Sequence, residues 1–158
     1  MPLASISTVD GVARITWSFT APVQTVWSGI TDGSWLPQWL GQPLECDLRA
    51  GGGIVVDHGG GALSRSVVTD LVPQQRLAMT WEFPDEPASS IGFRLGGQPG
   101  SGTTMNFSHS GLGRLVTSYG PGWITHLTYL EAALSGAPLS SSQFWPLYAS
   151  FEVLCARG

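Results

Sequence analysis

The stretch FTAPVQTVWSGITDGSWLPQWLG, Phe19 to Gly41, turns from strand to helix at Ala21-Pro22, then sets two further tryptophans among Asp, Gly, Ser and Gln. Pro22 suits a helix start, because its fixed φ fits the first turn and its missing N–H would have no intrahelical partner there. Val23, Val26, Trp27 and Ile30 follow at helical spacing. Trp35, Leu36, Trp39 and Leu40 stand at i, i+1, i+4 and i+5, which predicts a second short helix bent near Pro37 with both tryptophans on one side. An indole tolerates one apolar and one wet side, so Trp35 and Trp39 are expected to cover something.

Upstream, ARITWSFT (13–20) alternates Ile15, Trp17 and Phe19 against Arg14, Thr16 and Ser18, the pattern of a half-buried strand. Downstream of Gly41-Gln42-Pro43 the chain reads as strands and glycine-rich turns. LECDLR (44–49) alternates, and IVVDH (54–58) lies between the triplets Gly51–Gly53 and Gly59–Gly61. SRSVVTDLV and RLAMTWEF are hinged at Pro73-Gln74-Gln75, and SSIGFRL and GTTMNFSHS form a hairpin across GGQPGSG. With the first strand this makes about seven. Trp123, Leu127, Leu130 and Leu134 then mark a long amphipathic helix from near Pro121 to Gly136-Ala137-Pro138. Strand, two short helices, antiparallel strands and a long helix make an α+β domain.

The tail from Ser140 carries Phe144, Leu147, Tyr148, Phe151, Leu154 and Cys155 on a helical stripe, with a strand over SFEVLC as the alternative. Such a stripe must be covered, either by the chain's own domain or by a second copy in a homodimer.

The 158 residues are the size of one compact domain, 42% hydrophobic and 11% charged. Seven arginines, no lysine and a net charge of -4 lack the basic footprint of a phosphate-backbone binder, so no nucleic-acid partner is expected. No apolar run is long enough for a membrane span and the N-terminus has no secretory pattern, which points to a cytoplasmic protein. Cys46 and Cys155 stand apart, read as reduced thiols with a mutual disulfide as the alternative. Nucleophile-elbow, zinc-protease, P-loop and dinucleotide motifs are absent, and Gly111-Leu112-Gly113 reads as a turn.

Several short motifs occur in an order that resembles the START/Bet v 1-like (SRPBCC) superfamily, and within it the family named after the C-terminal domain of the activator of Hsp90 ATPase. They are Val26, Trp27, Ile30, Thr31 and Asp32; Trp39 and Leu40; Pro73, Leu77 and Trp81; His109 and Gly111; and Gly122 with Trp123. Ser108 departs from the Thr commoner before that histidine, and the likeness covers residues 11 to 137. The resemblance implies a helix-grip fold over residues 1–138, a curved antiparallel sheet around the long C-terminal helix with a cavity between them. Residues 139–158 form an apolar tail. Trp35 and Trp39 would then stand at the cavity mouth or plug the sheet edge.

In that fold the expected ligand-binding wall is aromatic: Met79, Trp81, Phe93, Met105 and Phe107 from strands, and Trp123, His126 and Leu127 from the helix. His109 shares parity with Met105 and Phe107, which makes it the candidate acid/base, or else a core histidine bonded to backbone or water. His126 flanks the helix stripe, and His58 is expected at a solvated rim. Arg65 and Arg94 are candidates to steady negative charge. No metal site and no cofactor are expected. The leading reading is cofactor-free binding of a small, mostly hydrophobic ligand, a lipid or an aromatic metabolite. The alternatives are an enzyme of the polyketide cyclase or dehydratase type using His109, and a protein that stimulates a chaperone ATPase.

Overall fold

The computed structural model describes residues 2–97 and 102–157. Eight strands form one antiparallel sheet: β1 (Leu3–Ser7), β2 (Ala13–Phe19), β3 (Gln42–Cys46), β4 (Gly53–Asp57), β5 (Leu63–Val72), β6 (Arg76–Trp81), β7 (Ser89–Gly97) and β8 (Thr103–Ser110). Their spatial order is β1-β2-β8-β7-β6-β5-β4-β3, so the sheet is curved and unclosed, with β1 and β3 at its edges. Both edge strands carry a register shift, between Leu3 and Ser5 in β1 and between Pro43 and Glu45 in β3. Among the described residues three α-helices accompany the sheet: α1 (Val23–Thr31), α2 (Val116–Leu134) and α3 (Phe144–Ala156).

The alternation in β2 places Ile15, Trp17 and Phe19 inward, where they join Met105 and Phe107 of β8, Phe93 of β7 and Leu77 of β6 in one core. α2 lays Trp123, Leu127 and Leu130 onto this surface, each at most 2% exposed. Burial of side chains of this size contributes roughly 1.5–3 kcal/mol apiece. α1 crosses α2 closely at Gly29, where a Cβ would lie 3.0 Å from a Leu130 methyl and 3.1 Å from one of Leu134. A larger residue there would push the helices apart.

The eighth strand is β1, which the sequence reading leaves out; LASIS has no fully buried position and hence no clear alternation. The expected second short helix is a single 3₁₀ turn, Leu36–Gln38, ended at Trp39 by an extended φ of -141°. With three residues per turn, positions four apart no longer share a side. Trp39 is therefore buried while Trp35 is only half-buried. α2 begins at Val116 rather than near Pro121, so the proline sits inside the helix. The connection across Gln98 to Ser101, expected as a hairpin turn, lies outside the described residues.

The tail forms a helix, not a strand. Phe144, Leu147, Phe151 and Cys155 of α3, spaced by three and four residues, pack against the core alongside α2. Leu154, expected on the same stripe, is 61% exposed because it faces away with Trp145 and Val153. Cys46 and Cys155 are free thiols. Among the described residues no helix is long and apolar enough to cross a membrane.

Candidate functional site

Between the open end of the sheet and α2 lies a cavity of about 700 Å³. Trp81 and Phe83 from the sheet side, Trp39 and Leu40 from the loop after α1, and Trp123 and His126 of α2 form its body. Phe144 and Tyr148 of α3 and the Pro138-Leu139 connection close one side. Behind it is a separate void of about 30 Å³, lined in part by Met79, Phe93, Ser64 and Ser66. Trp39, Trp81 and Trp123 line both spaces and form the partition between them.

The loop holding Trp39 is fixed from several directions. Its indole Nε1–H donates to the Gly29 carbonyl at 2.9 Å, and its own carbonyl accepts from His126 Nδ1 at 2.7 Å. The next carbonyl, of Leu40, faces His58 Nδ1 at 3.2 Å, while His58 Nε2 lies 2.7 Å from Ser64 Oγ. A carbonyl can only accept, so both Nδ1 atoms carry protons, and His58 Nε2 takes the Ser64 hydroxyl proton. Two histidines, one after β4 and one on α2, thus hold consecutive carbonyls of the tryptophan loop. His58 is half-buried and fully bonded, not the solvated rim residue expected; burial lowers its pKa.

His126 differs from His58 in one respect. With Nδ1 committed to Trp39, its Nε2 carries a lone pair that no residue among those described engages. Burial, followed by the nearby charge of a protonated His58, pushes the pKa down to about 4 against the pull of the Trp39 carbonyl. The ring is therefore neutral near pH 7 and offers an acceptor to the cavity it lines.

His109 is placed otherwise. Its ring is fully buried and absent from the cavity wall. Trp123 Nε1–H donates to its Nδ1 at 2.9 Å, so the neutral ring carries its proton on Nε2, 2.8 Å from Ser89 Oγ. Ser89 in turn donates to the Trp81 carbonyl at 3.2 Å. This closed chain satisfies both nitrogens, and burial pushes the pKa down to about 4.

Of the residues read from the sequence, Trp39, Trp81, Trp123 and His126 meet at the cavity, while Met79 and Phe93 line the inner void. Met105, Phe107 and Leu127 are core, and Trp35 touches neither space. Arg65 and Arg94 are exposed on the outer face. On β5 the inward positions are Ser64, Ser66 and Val68, so the apolar Leu63 and Val67 that share Arg65's parity point outward. Among the described residues no cluster of three or more metal-binding side chains occurs.

Sequence reasoning missed a second polar group. Trp81 Nε1–H donates to Tyr119 Oη at 3.1 Å, and the Tyr119 hydroxyl donates to Glu86 Oε1. Burial, then the Glu86 hydrogen bond, pushes the Tyr119 pKa upward, so it remains a phenol. Tyr119 lies one turn before Trp123 on the same face of α2, and starting the helix near Pro121 hid it. Glu86 sits in an irregular connection where no periodicity could mark it.

The fold is compatible with small-ligand binding, and known structures share it. CalU16 from Micromonospora echinospora superposes with a TM-score of 0.78 at 25% identity, over 98% of this chain and 95% of that one. DynU16, a protein of the dynemicin biosynthetic locus, gives 0.73 at 28% identity over 82% of this chain; the match spans about half, 49%, of DynU16. Ms6760 from Mycobacterium smegmatis shares the fold alone, at 17% identity and a TM-score of 0.71 over 89% of this chain and 98% of that one. Among proteins of curated function, none matches. The profile described as Activator of Hsp90 ATPase homolog 1-like protein matches residues 20–135, most of the chain. With the eight-stranded sheet gripping α2, that match shows that the chain belongs to this family, within the SRPBCC type of fold.

Proposed function

We propose that the protein binds a small, mostly apolar molecule, without a cofactor, in the cavity between the sheet and α2. The observation that carries this reading is a preformed space of about 700 Å³ walled by Trp39, Trp81, Trp123, Phe83 and Phe144. Ligand sites are mostly concave and apolar with a few placed polar groups, and volumes of about 300–1,000 Å³ are typical. The origin of DynU16 in a biosynthetic locus is in keeping with a small-molecule ligand.

Proton transfer by His109 is less favoured, since both its nitrogens are engaged in the core. A polyketide cyclase or dehydratase reading would have to use His126, whose Nε2 faces the cavity.

The test is titration of the purified protein with fatty acids, sterols, flavonoids and aromatic polyketides, followed by tryptophan fluorescence and melting temperature. A ligand at about 100 times its dissociation constant should add roughly 2.7 kcal/mol to stability. Binding of one chemical class, with quenching that Trp81→Phe reduces, is the expected result. No shift and no quenching with any class would overturn the reading.

A further inference from the structure

The cavity's hydrogen-bonding groups are unbalanced. Its indole and phenol donors are nearly all spent on the protein itself: Trp39 on Gly29, Trp123 on His109, Trp81 on Tyr119, and Tyr119 on Glu86. Tyr129 and Tyr148 donate to the carbonyls of Ser140 and Ser118. Gln38, Ser141 and Trp145 are exposed at the rim. Acceptors remain on its wall: His126 Nε2 and, on the half-buried Glu86, Oε2, neither of which any residue among those described engages. Glu86 is also the one carboxylate on the wall, and neither Arg nor Lys lines it among the described residues.

These acceptors lie at opposite ends of the α2 stripe. Tyr119, which holds Glu86, and His126 are seven residues apart, a rise of about 10 Å, with Trp123 between them. A ligand lying along this stripe meets an aromatic floor and an acceptor at each end. An unpaired acceptor in an apolar site disfavours a ligand that covers it without donating a proton, and a second carboxylate beside Glu86 adds like-charge repulsion.

We infer that the cavity selects an uncharged, elongated aromatic molecule with a hydroxyl donor at each end, one for His126 Nε2 and one for the Glu86 carboxylate, and discriminates against carboxylic acids such as fatty acids. This rests on the ligand-binding reading and narrows it to one ligand class.

Three probes of one shape separate the possibilities: 4,4′-dihydroxybiphenyl, its dimethyl ether, and biphenyl-4,4′-dicarboxylate, each titrated at pH 7.5 by tryptophan quenching and calorimetry. The expected order is diol, then ether, then dicarboxylate, with the diol about fivefold tighter than the ether for each hydrogen bond made. His126→Phe should shrink the diol-to-ether ratio while leaving ether binding in place. Glu86→Gln keeps the shape but removes the charge and, with its one oxygen held by Tyr119, puts an amide donor where the free acceptor stood; it should improve dicarboxylate binding severalfold and shrink the diol-to-ether ratio, which tests the other end if His126→Phe fails to fold. Equal binding of diol and ether, or a dicarboxylate that binds tightest, overturns the donor rule while the cavity reading stands. If none of the three binds wild-type protein, the donor rule falls, and the cavity reading falls with it only where fatty acids, sterols, flavonoids and aromatic polyketides fail as well.

Discussion

Trp123 stands between two histidines, with ring centroids 5.9 Å from His109 on one side and 5.6 Å from His126 on the other. Burial brings both imidazoles to a pKa of about 4. On the His109 side every polar atom is paired, in a chain from Trp123 through His109 and Ser89 to the Trp81 carbonyl. On the His126 side one nitrogen holds the Trp39 loop and the other opens to the cavity. A depressed pKa is therefore shared by a histidine that specifies the core and one that can meet a ligand. What separates them is a free lone pair, which only the bonding pattern reveals.

The sharpest way to break this comparison is to remove the closed side. His109→Leu leaves the buried Trp123 indole N–H unpaired and takes from the Ser89 oxygen the donor it accepts from, though Ser89 keeps its bond to the Trp81 carbonyl, and should cost about 3 kcal/mol in urea unfolding. A loss below about 1 kcal/mol would mean that the chain of bonds is not closed. Acid probes both sides together. A histidine whose folded pKa is depressed contributes stability that is fully present above its unfolded value, near 6.5, and is lost as the pH falls towards about 4. The unfolded chain binds more protons in that window, so stability should fall by up to about 3 kcal/mol from His109, with less from the partly exposed His126. His109→Leu should visibly flatten this dependence between pH 7 and pH 4.5; an unchanged slope would place the titration elsewhere.

Smaller effects belong to the tail. Phe151→Ala, on the face of α3 that packs against the core, should lower stability by about 1–2 kcal/mol, less than a fully buried phenylalanine because the ring is only partly covered. Trp145→Ala sits at the smallest end. The side chain is 70% exposed, so unfolding should change by no more than about 0.5 kcal/mol. Its position on the cavity rim nevertheless predicts weaker binding of aromatic ligands, measurable by the titrations described above.

The strands that the sequence shows are those with one clean face, such as β2 and β8, where alternation is enforced by a buried side. β1 escapes because its partly covered positions, Leu3, Ile6 and Ser7, do not alternate along the strand. The site is legible only where it shares residues with the core. Trp81 and Trp123 show themselves by period, whereas Glu86 shares an aperiodic turn with Glu82 and Asp85 and nothing in the sequence singles it out. On β5 parity misleads, because the wall next to the inner void is built from Ser64 and Ser66, leaving Leu63 and Val67 on the outside. No hydrophobic pattern distinguishes a serine that faces inward to bond His58 from one that faces water.

A sheet left unclosed has two rims of unsatisfied peptide groups, and such rims invite neighbouring molecules to add strands. Each rim of this sheet is a strand of only five residues broken by a register shift, and β3 adds Pro43, which has no N–H to offer an incoming chain. The irregularities therefore act against fibrillar growth. An open sheet around α2 is thereby left without a straight template for polymerisation.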